Sequence, residues 1–154
     1  MSKRLSIMKY SKALKPVLDF SAAVHDTGLE PMMVDLVLLR VSQINGCAYC
    51  IDMHSKDARA AGETEQRLYL VSGWHETSLY SDRERAALGW AEAVTRLGDH
   101  GVSDALYEQA RAVFSEEELL NLTVIVGMIN TWNRINVAFQ TPAGSYKPAA
   151  KHAA

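Results

Sequence analysis

Residues 39–50 read Leu-Arg-Val-Ser-Gln-Ile-Asn-Gly-Cys-Ala-Tyr-Cys, and His54 follows four residues later. The apolar spacing of the first half predicts the end of one helix, the Asn-Gly pair predicts a break, and the residues after it predict the start of the next helix. Cys47 and Cys50 are the two cysteines of the chain. Spacings of three and four residues place both cysteines and His54 along one stripe of that second helix. We therefore expect the chemistry of this protein within one and a half helical turns.

The cysteine pair allows three interpretations. In the first interpretation both cysteines are inert core residues. Their position beside a helix break disfavours this interpretation. A structural zinc site is the second, but zinc needs four ligands and Cys47, Cys50 and His54 supply only three. The fourth ligand would come from His75, His100 or Asp35. A redox-active dithiol is the third, and we favour it with no bound metal, because a disulfide between these two residues is sterically accessible at a helix start.

Two physical effects favour different cysteines as the attacking thiol. Cys47 lies nearest to the positive N-terminal end of the helix, which lowers the pKa of a thiol. Cys50 lies one turn before His54, which can take its proton. Because a specific base within hydrogen-bond reach outweighs a partial dipole, the residues favour Cys50 as the nucleophile.

Asp35 interrupts the apolar stripe of the helix that precedes the cysteines. A buried carboxylate needs a partner. In one interpretation Asp35 is an exposed residue or the partner of Arg40. In the other it is an acid that polarises His54 or a water beside it, and both interpretations stay open. Late in the chain, residues 132–134 read Trp-Asn-Arg, which we interpret as packing and surface rather than as part of a site.

Length and charge limit the classes of protein to consider. A chain of 154 residues is about one domain, so we expect a single domain over 1–154 with a core over about 16–140. A net charge of −2, with acidic and basic residues interspersed, disfavours nucleic acid or an anionic membrane as a partner. The longest apolar stretches, 36–41 and 122–129, are too short to span a bilayer, and the start of the chain lacks the apolar run of a signal peptide. We expect a soluble, cytoplasmic protein.

Every long segment has helical spacing and none has the alternation of a hairpin, which predicts an all-α fold of about six to seven helices. The predicted helices run from about Pro16 to His25 or Asp26, from Pro31 to the break at Asn45-Gly46, from Ala48 to Ala61 before Gly62, from Thr64 to about Ser72, from Ser81 to Leu97, from Ser103, and from Glu116 to about Phe139. The tail over 143–154 is small and polar, so we expect it to be flexible.

The last predicted helix is apolar on much of its circumference. A helix that is apolar this far round needs neighbours on several sides. An obligate oligomer and a well-covered central helix explain the pattern equally well.

Three blocks of the chain carry a family resemblance: residues 39–50 with His54, the Glu-Arg-Ala-Ala-Leu of residues 84–88, and the Asn-Thr-Trp-Asn-Arg of residues 130–134. They resemble the alkylhydroperoxidase D-like (AhpD-like) proteins of the carboxymuconolactone decarboxylase superfamily. The resemblance covers about residues 35–139, and the cysteine block is its most specific part. It implies an all-helical AhpD-like fold, assembly as a homotrimer or hexamer, and peroxidase activity through a cysteine pair.

The resemblance also implies roles for individual residues. Cys50 is the peroxidatic cysteine, Cys47 resolves the product as a disulfide, and His54 is the base of a proton relay. Asp35 stands where the family has the relay glutamate, so the carboxylate is kept with a reach shorter by one methylene. Tyr49 stands where the best-known members have a histidine, and a phenol can donate a hydrogen bond but cannot act as a base at neutral pH.

The sequence thus predicts a thiol-dependent peroxidase that reduces organic hydroperoxides or hydrogen peroxide in antioxidant defence. No bound cofactor is expected, but an external dithiol reductant, such as a lipoyl-bearing or thioredoxin-type protein, must reopen the disulfide. One alternative is a lactone decarboxylase of the same superfamily, which has no need of a vicinal thiol pair. Another is a non-catalytic redox-sensing oligomer, which would react with peroxide once and stop.

Overall fold

The computed structural model describes residues 4–24 and 27–148. This part of the chain contains helices and no strand, so the predicted all-α fold is confirmed. The α-helices are α1 Ser11–Ala23, α2 Pro31–Ile44, α3 Ala48–Ala61, α4 Glu65–Leu70, α5 Asp82–Thr95, α6 Asp104–Arg111 and α7 Glu116–Phe139. Short 3-10 helices span Ile7–Tyr10 and Val71–Glu76. Among the described helices, none is both long enough and apolar enough to cross a bilayer.

Capping residues fix most of the helix boundaries where the sequence predicts them. The side-chain oxygens of four N-cap residues each accept a hydrogen bond from a backbone N–H three residues on, which satisfies a donor that the first turn leaves open. These residues are Thr64, Ser81, Ser103 and Ser115. Gly62 ends α3 with a φ of 108°, a left-handed conformation that favours glycine. The predicted bounds of α3 are therefore confirmed.

The predicted start of the first helix is wrong. We expected a start at about Pro16, but α1 begins at Ser11 and Pro16 lies inside it. A proline inside a helix removes one backbone hydrogen bond, and Pro16 and Lys12, whose carbonyl loses that donor, are both exposed residues. The helix ends at Ala23, and the predicted ends at His25 and Asp26 lie outside the described residues.

Helix α7 is the central helix of the fold. It packs against α1, α2, α3, α5 and α6, which explains why its sequence is apolar on much of its circumference. The larger core cluster lies between α2, α5 and α7 and includes Val37, Val41, Phe114, Leu122, Ile125 and Ile129. A second cluster joins α2 and α3 to the segment around α4. Core clusters therefore pack against the α2–α3 pair on two sides. Assembly into an oligomer stays a prediction.

The described part of the C-terminal tail lies along α3. The Gly144 N–H donates to Asp52 Oδ2 at 2.9 Å, and the Tyr146 hydroxyl donates to Asp57 Oδ1 at 2.8 Å. Lys56 Nζ donates to the Tyr146 carbonyl at 3.0 Å. Residues 149–154 lie outside the described part, and the expected flexibility of the tail stays a prediction.

Candidate active site

The turn between α2 and α3 brings the two cysteines together. Gly46 has a φ of 64°, which favours glycine and lets the chain reverse direction. The Cys47 N–H donates to the Ser42 carbonyl at 3.0 Å. Cys47 is the N-cap of α3, and its Sγ accepts the Cys50 N–H at 3.3 Å. One sulfur therefore lies at the positive end of α3 and the other lies one turn into the helix.

The two sulfurs are joined as a disulfide, with Cα atoms 5.3 Å apart. Both cysteines are buried, each with 1% of its surface exposed. Over residues 4–24 and 27–148, no group of three or more His, Cys, Asp or Glu side chains is placed to hold a metal ion. The two sulfurs lie within bonding distance of each other, and the redox role of the pair and the choice of attacking sulfur stay predictions.

His54 lies one turn after Cys50 on α3 and is 8% exposed. Its Nε2 atom is buried and has no hydrogen-bond partner. Burial lowers the pKa of His54 to about 4, because the charged imidazolium loses its hydration there. The imidazole is therefore neutral near pH 7, with a nitrogen that can accept a proton.

We expect the native state to resist protonation of His54 well below the ordinary pKa of histidine. Between pH 6.5 and about 4 the unfolded chain binds a proton at His54 that the folded chain does not, so the free energy of unfolding falls as the pH falls through this window. NMR titration of the imidazole resonances, with assignment from a His54→Asn variant, checks this. A midpoint for His54 above pH 6 in the oxidised protein would contradict the effect of burial.

Asp35 and Tyr49, the other predicted site residues, are both half-buried, on α2 and α3. Arg40, which one interpretation makes the partner of Asp35, pairs through its Nε with Glu92 of α5 at 2.7 Å. Burial, the hydrogen bond to Asp57 and the neighbouring Tyr49 phenol raise the pKa of the tail residue Tyr146 to about 12. The tail therefore reaches the side of α3 that carries Tyr49.

Sequence reasoning missed a buried amide beside the cysteines. Asn136 of α7 is 5% exposed, and its Nδ2 donates to Cys50 Sγ at 3.6 Å. A signal for it was present, because asparagines recur at positions 130, 133 and 136 of a helix that is apolar on much of its circumference. Buried amides need hydrogen-bond partners, so such a row indicates a polar contact surface.

A second missed amide, Asn133, holds the turn before the cysteines. Asn45 Nδ2 donates to Asn133 Oδ1 at 2.9 Å, and Asn133 Nδ2 donates to Ser42 Oγ at 3.2 Å. Asn133 has no exposed surface. The interpretation of residues 132–134 as packing and surface is therefore incomplete: Arg134 is exposed, but Asn133 fixes the α2–α3 turn against α7.

The site lies in a chain whose relatives share most of its length. The Carboxymuconolactone decarboxylase family model matches residues 12–93. The uncharacterized protein YdfG of Bacillus subtilis (strain 168) is 40% identical over 146 residues, which cover 94% of this chain and 99% of YdfG.

Solved structures with the same fold include two AhpD-like proteins. ATU0492 from Agrobacterium tumefaciens, a protein of unknown function described as a candidate antioxidant defence protein AhpD, has a TM-score of 0.89 and 43% identity, covering 94% of this chain and 100% of its own. An uncharacterized peroxidase-related protein with an AhpD core from Ralstonia eutropha JMP134 has a TM-score of 0.80 at 20% identity, covering 90% of this chain and 74% of its own. The predicted AhpD-like fold is confirmed.

Proposed function

Because the chain belongs to the carboxymuconolactone decarboxylase family and has an AhpD-like fold, we propose that it is a thiol-dependent peroxidase acting on organic hydroperoxides or hydrogen peroxide. One observation carries this proposal: a buried disulfide closes within the first turn of α3, one turn before a buried histidine with an unpartnered nitrogen. A disulfide between two sulfurs that both lie at the start of one helix suits repeated oxidation and reduction.

In the proposed reaction the Cys50 thiolate attacks the terminal oxygen of a hydroperoxide. The S–O bond forms as the O–O bond breaks, and the released alkoxide takes a proton and leaves as an alcohol, or as water from hydrogen peroxide. The Cys47 thiol then attacks the sulfur of the Cys50 sulfenic acid, which forms the disulfide and releases water. Two thiols and one hydroperoxide thus give one disulfide, one alcohol and one water.

His54 is proposed to relay the proton between these steps. Its low pKa in the oxidised protein means that the buried imidazole does not keep a proton by itself. A thiolate at Cys50, one turn away, favours the imidazolium, so His54 takes the thiol proton as the thiolate forms and passes it to the leaving oxygen. Asp35 is proposed to support this relay as its carboxylate, and Tyr49 to donate a hydrogen bond at the site.

The cycle needs a reductant, since the oxidised pair cannot attack a second peroxide. We propose an external dithiol of the lipoyl-bearing or thioredoxin type, which attacks one sulfur and closes its own disulfide. Assembly as a homotrimer or hexamer and a cytoplasmic location belong to the same proposal. A lactone decarboxylase activity is less well supported, because that reaction gives the buried dithiol no role.

The direct test adds one equivalent of cumene hydroperoxide to the reduced protein and measures intact mass, free thiols and cumyl alcohol. We expect both thiols of each chain to disappear, the mass to fall by two hydrogens, and one equivalent of cumyl alcohol to form. With dihydrolipoamide in excess, alcohol formation should continue through many cycles, whereas a sensor would stop after one. Unchanged thiols after treatment with both cumene hydroperoxide and hydrogen peroxide would refute the peroxidase proposal.

A further inference from the structure

The amide of Asn136 is held in one orientation beside the reactive pair. Its Nδ2 donates to the Trp132 carbonyl one turn earlier on α7 at 3.0 Å and to Cys50 Sγ at 3.6 Å. Both N–H bonds of the amide are therefore used, one within α7 and one across to α3. Because the first hydrogen bond fixes the rotation of the amide, the donor edge faces the sulfur.

The acceptor edge of the same side chain is unusual for a residue that serves packing alone. Asn136 Oδ1 is buried and has no hydrogen-bond partner. Leaving a buried amide oxygen without a partner costs free energy, and an apolar residue of similar size would avoid that cost. This cost indicates that the amide is kept at this position for what its N–H does to the sulfur.

We propose that Asn136 is a positioning residue that donates a hydrogen bond to the Cys50 thiolate and keeps it deprotonated and aimed for attack; the catalytic part of this inference rests on the proposed function. The sulfur of a disulfide is a weak acceptor, whereas a thiolate is charged and a stronger one. A donor that binds the charged form more strongly than the thiol shifts the equilibrium towards the thiolate. The contact seen in the oxidised state therefore strengthens on reduction.

Other charged or titratable groups lie on the helices that pack around Cys50, namely α2, α3 and α7. They include Asp35, Arg40, Tyr49, Asp52, His54 and Arg134. Arg40 pairs with Glu92, Asp52 with Lys56, and Arg134 with the Asn130 side chain. Asn136 Nδ2 donates a side-chain hydrogen bond to the Cys50 sulfur, so its removal should be visible in the ionisation of that thiol.

The test uses the Cys47→Ser background, in which Cys50 is the single thiol. The pH dependence of thiolate absorbance and of the rate of alkylation by iodoacetamide gives the pKa of Cys50. Loss of one hydrogen bond to a charged group should raise that pKa by about one unit in Asn136→Leu. Asn136→Asp, which keeps the shape and replaces the donor with an acceptor, should raise it at least as much. Val137→Ala, at an exposed neighbour on α7, should leave it unchanged.

The outcomes separate this inference from the proposed function, because thiol ionisation is measured without any peroxide. A pKa within about 0.3 units of the background value in both Asn136 variants would overturn the role of Asn136, whatever the peroxidase activity. If the Asn136 variants raise the pKa of Cys50 but the protein does not consume hydroperoxide, the hydrogen-bond role of Asn136 is supported and the peroxidase proposal is refuted. Circular dichroism verifies that each variant folds. If the leucine side chain prevents Asn136→Leu from folding, Asn136→Ala takes its place.

Discussion

Replacing Cys50 with serine is expected to abolish hydroperoxide turnover, with a loss of at least about a thousandfold, as for removal of a covalent nucleophile. A serine hydroxyl does not ionise near neutral pH and is a poor nucleophile towards the O–O bond. His54 and Asn136 remain in place in this variant, so the loss reports the sulfur itself. The measurement is cumene hydroperoxide consumption with dihydrolipoamide as the reductant.

Cys47→Ser is the matched control. Cys47 is the N-cap of α3, and serine is among the best N-cap residues, so this variant should keep the helix start intact. It should react with one equivalent of hydroperoxide and stop at a sulfenic acid on Cys50, which dimedone traps and which excess peroxide converts to the sulfinic acid. If Cys50→Ser instead forms the trapped sulfenic acid and Cys47→Ser is inert, the helix dipole rather than the histidine selects the nucleophile.

Local sequence signals were sufficient for most of the fold. The bounds of α3 follow from the break before it and from Gly62 after it, and capping side chains such as Ser81 and Ser115 mark the helix starts. The start of α1 could not be predicted in the same way. Pro16 is a good first-turn residue in general, and only its exposure, which depends on how α1 lies on the rest of the protein, shows that it can also lie inside a helix.

The site was predictable where its residues are close in sequence and not where they are distant. Cys47, Cys50 and His54 share one helix face, so their spacing alone brings them together. Asn136 is separated from Cys50 by 86 positions and reaches it only because α7 packs across α3. The low pKa of His54 likewise comes from burial by several helices, which spacing along one helix does not reveal.

Outside the site, Arg67 holds two carboxylates that have little access to water. Its Nε pairs with Glu63 at 3.0 Å and its Nη2 pairs with Glu84, while Nη1 donates to the Leu79 carbonyl. The Glu63 side chain is 4% exposed and that of Glu84 is 16% exposed. Removing the cation leaves both charges poorly hydrated and without their partner, so Arg67 connects α4 to α5 through charge as well as through packing.

We expect Arg67→Met to lower the free energy of unfolding by about 3 kcal/mol at pH 7, the low end of the loss for one partner of a buried ion pair, because the Arg67 side chain is itself 20% exposed. Methionine keeps most of the apolar stem, so the change reports the charge. Arg96→Met is the matched control, because Arg96 is 57% exposed and its pair with Glu92 should be worth less than about 1 kcal/mol. Urea unfolding of both variants and the wild type measures the difference.

The difference between Arg67→Met and the wild type should depend on pH in one direction. Burial alone would raise the pKa of Glu84, but hydrogen bonds from Arg67 and Ser81 outweigh it, so the pKa lies below its ordinary value of 4.5. A carboxyl whose pKa is lowered by folding stabilises the native state above that ordinary value, and this stabilisation is lost as the pH falls through the folded pKa. The variant lacks the part of this stabilisation that Arg67 supplies, so its deficit should be full at pH 7 and shrink below about pH 4.5. A deficit that stays constant down to pH 3.5 would contradict a stabilising charge interaction between Arg67 and the Glu84 carboxylate.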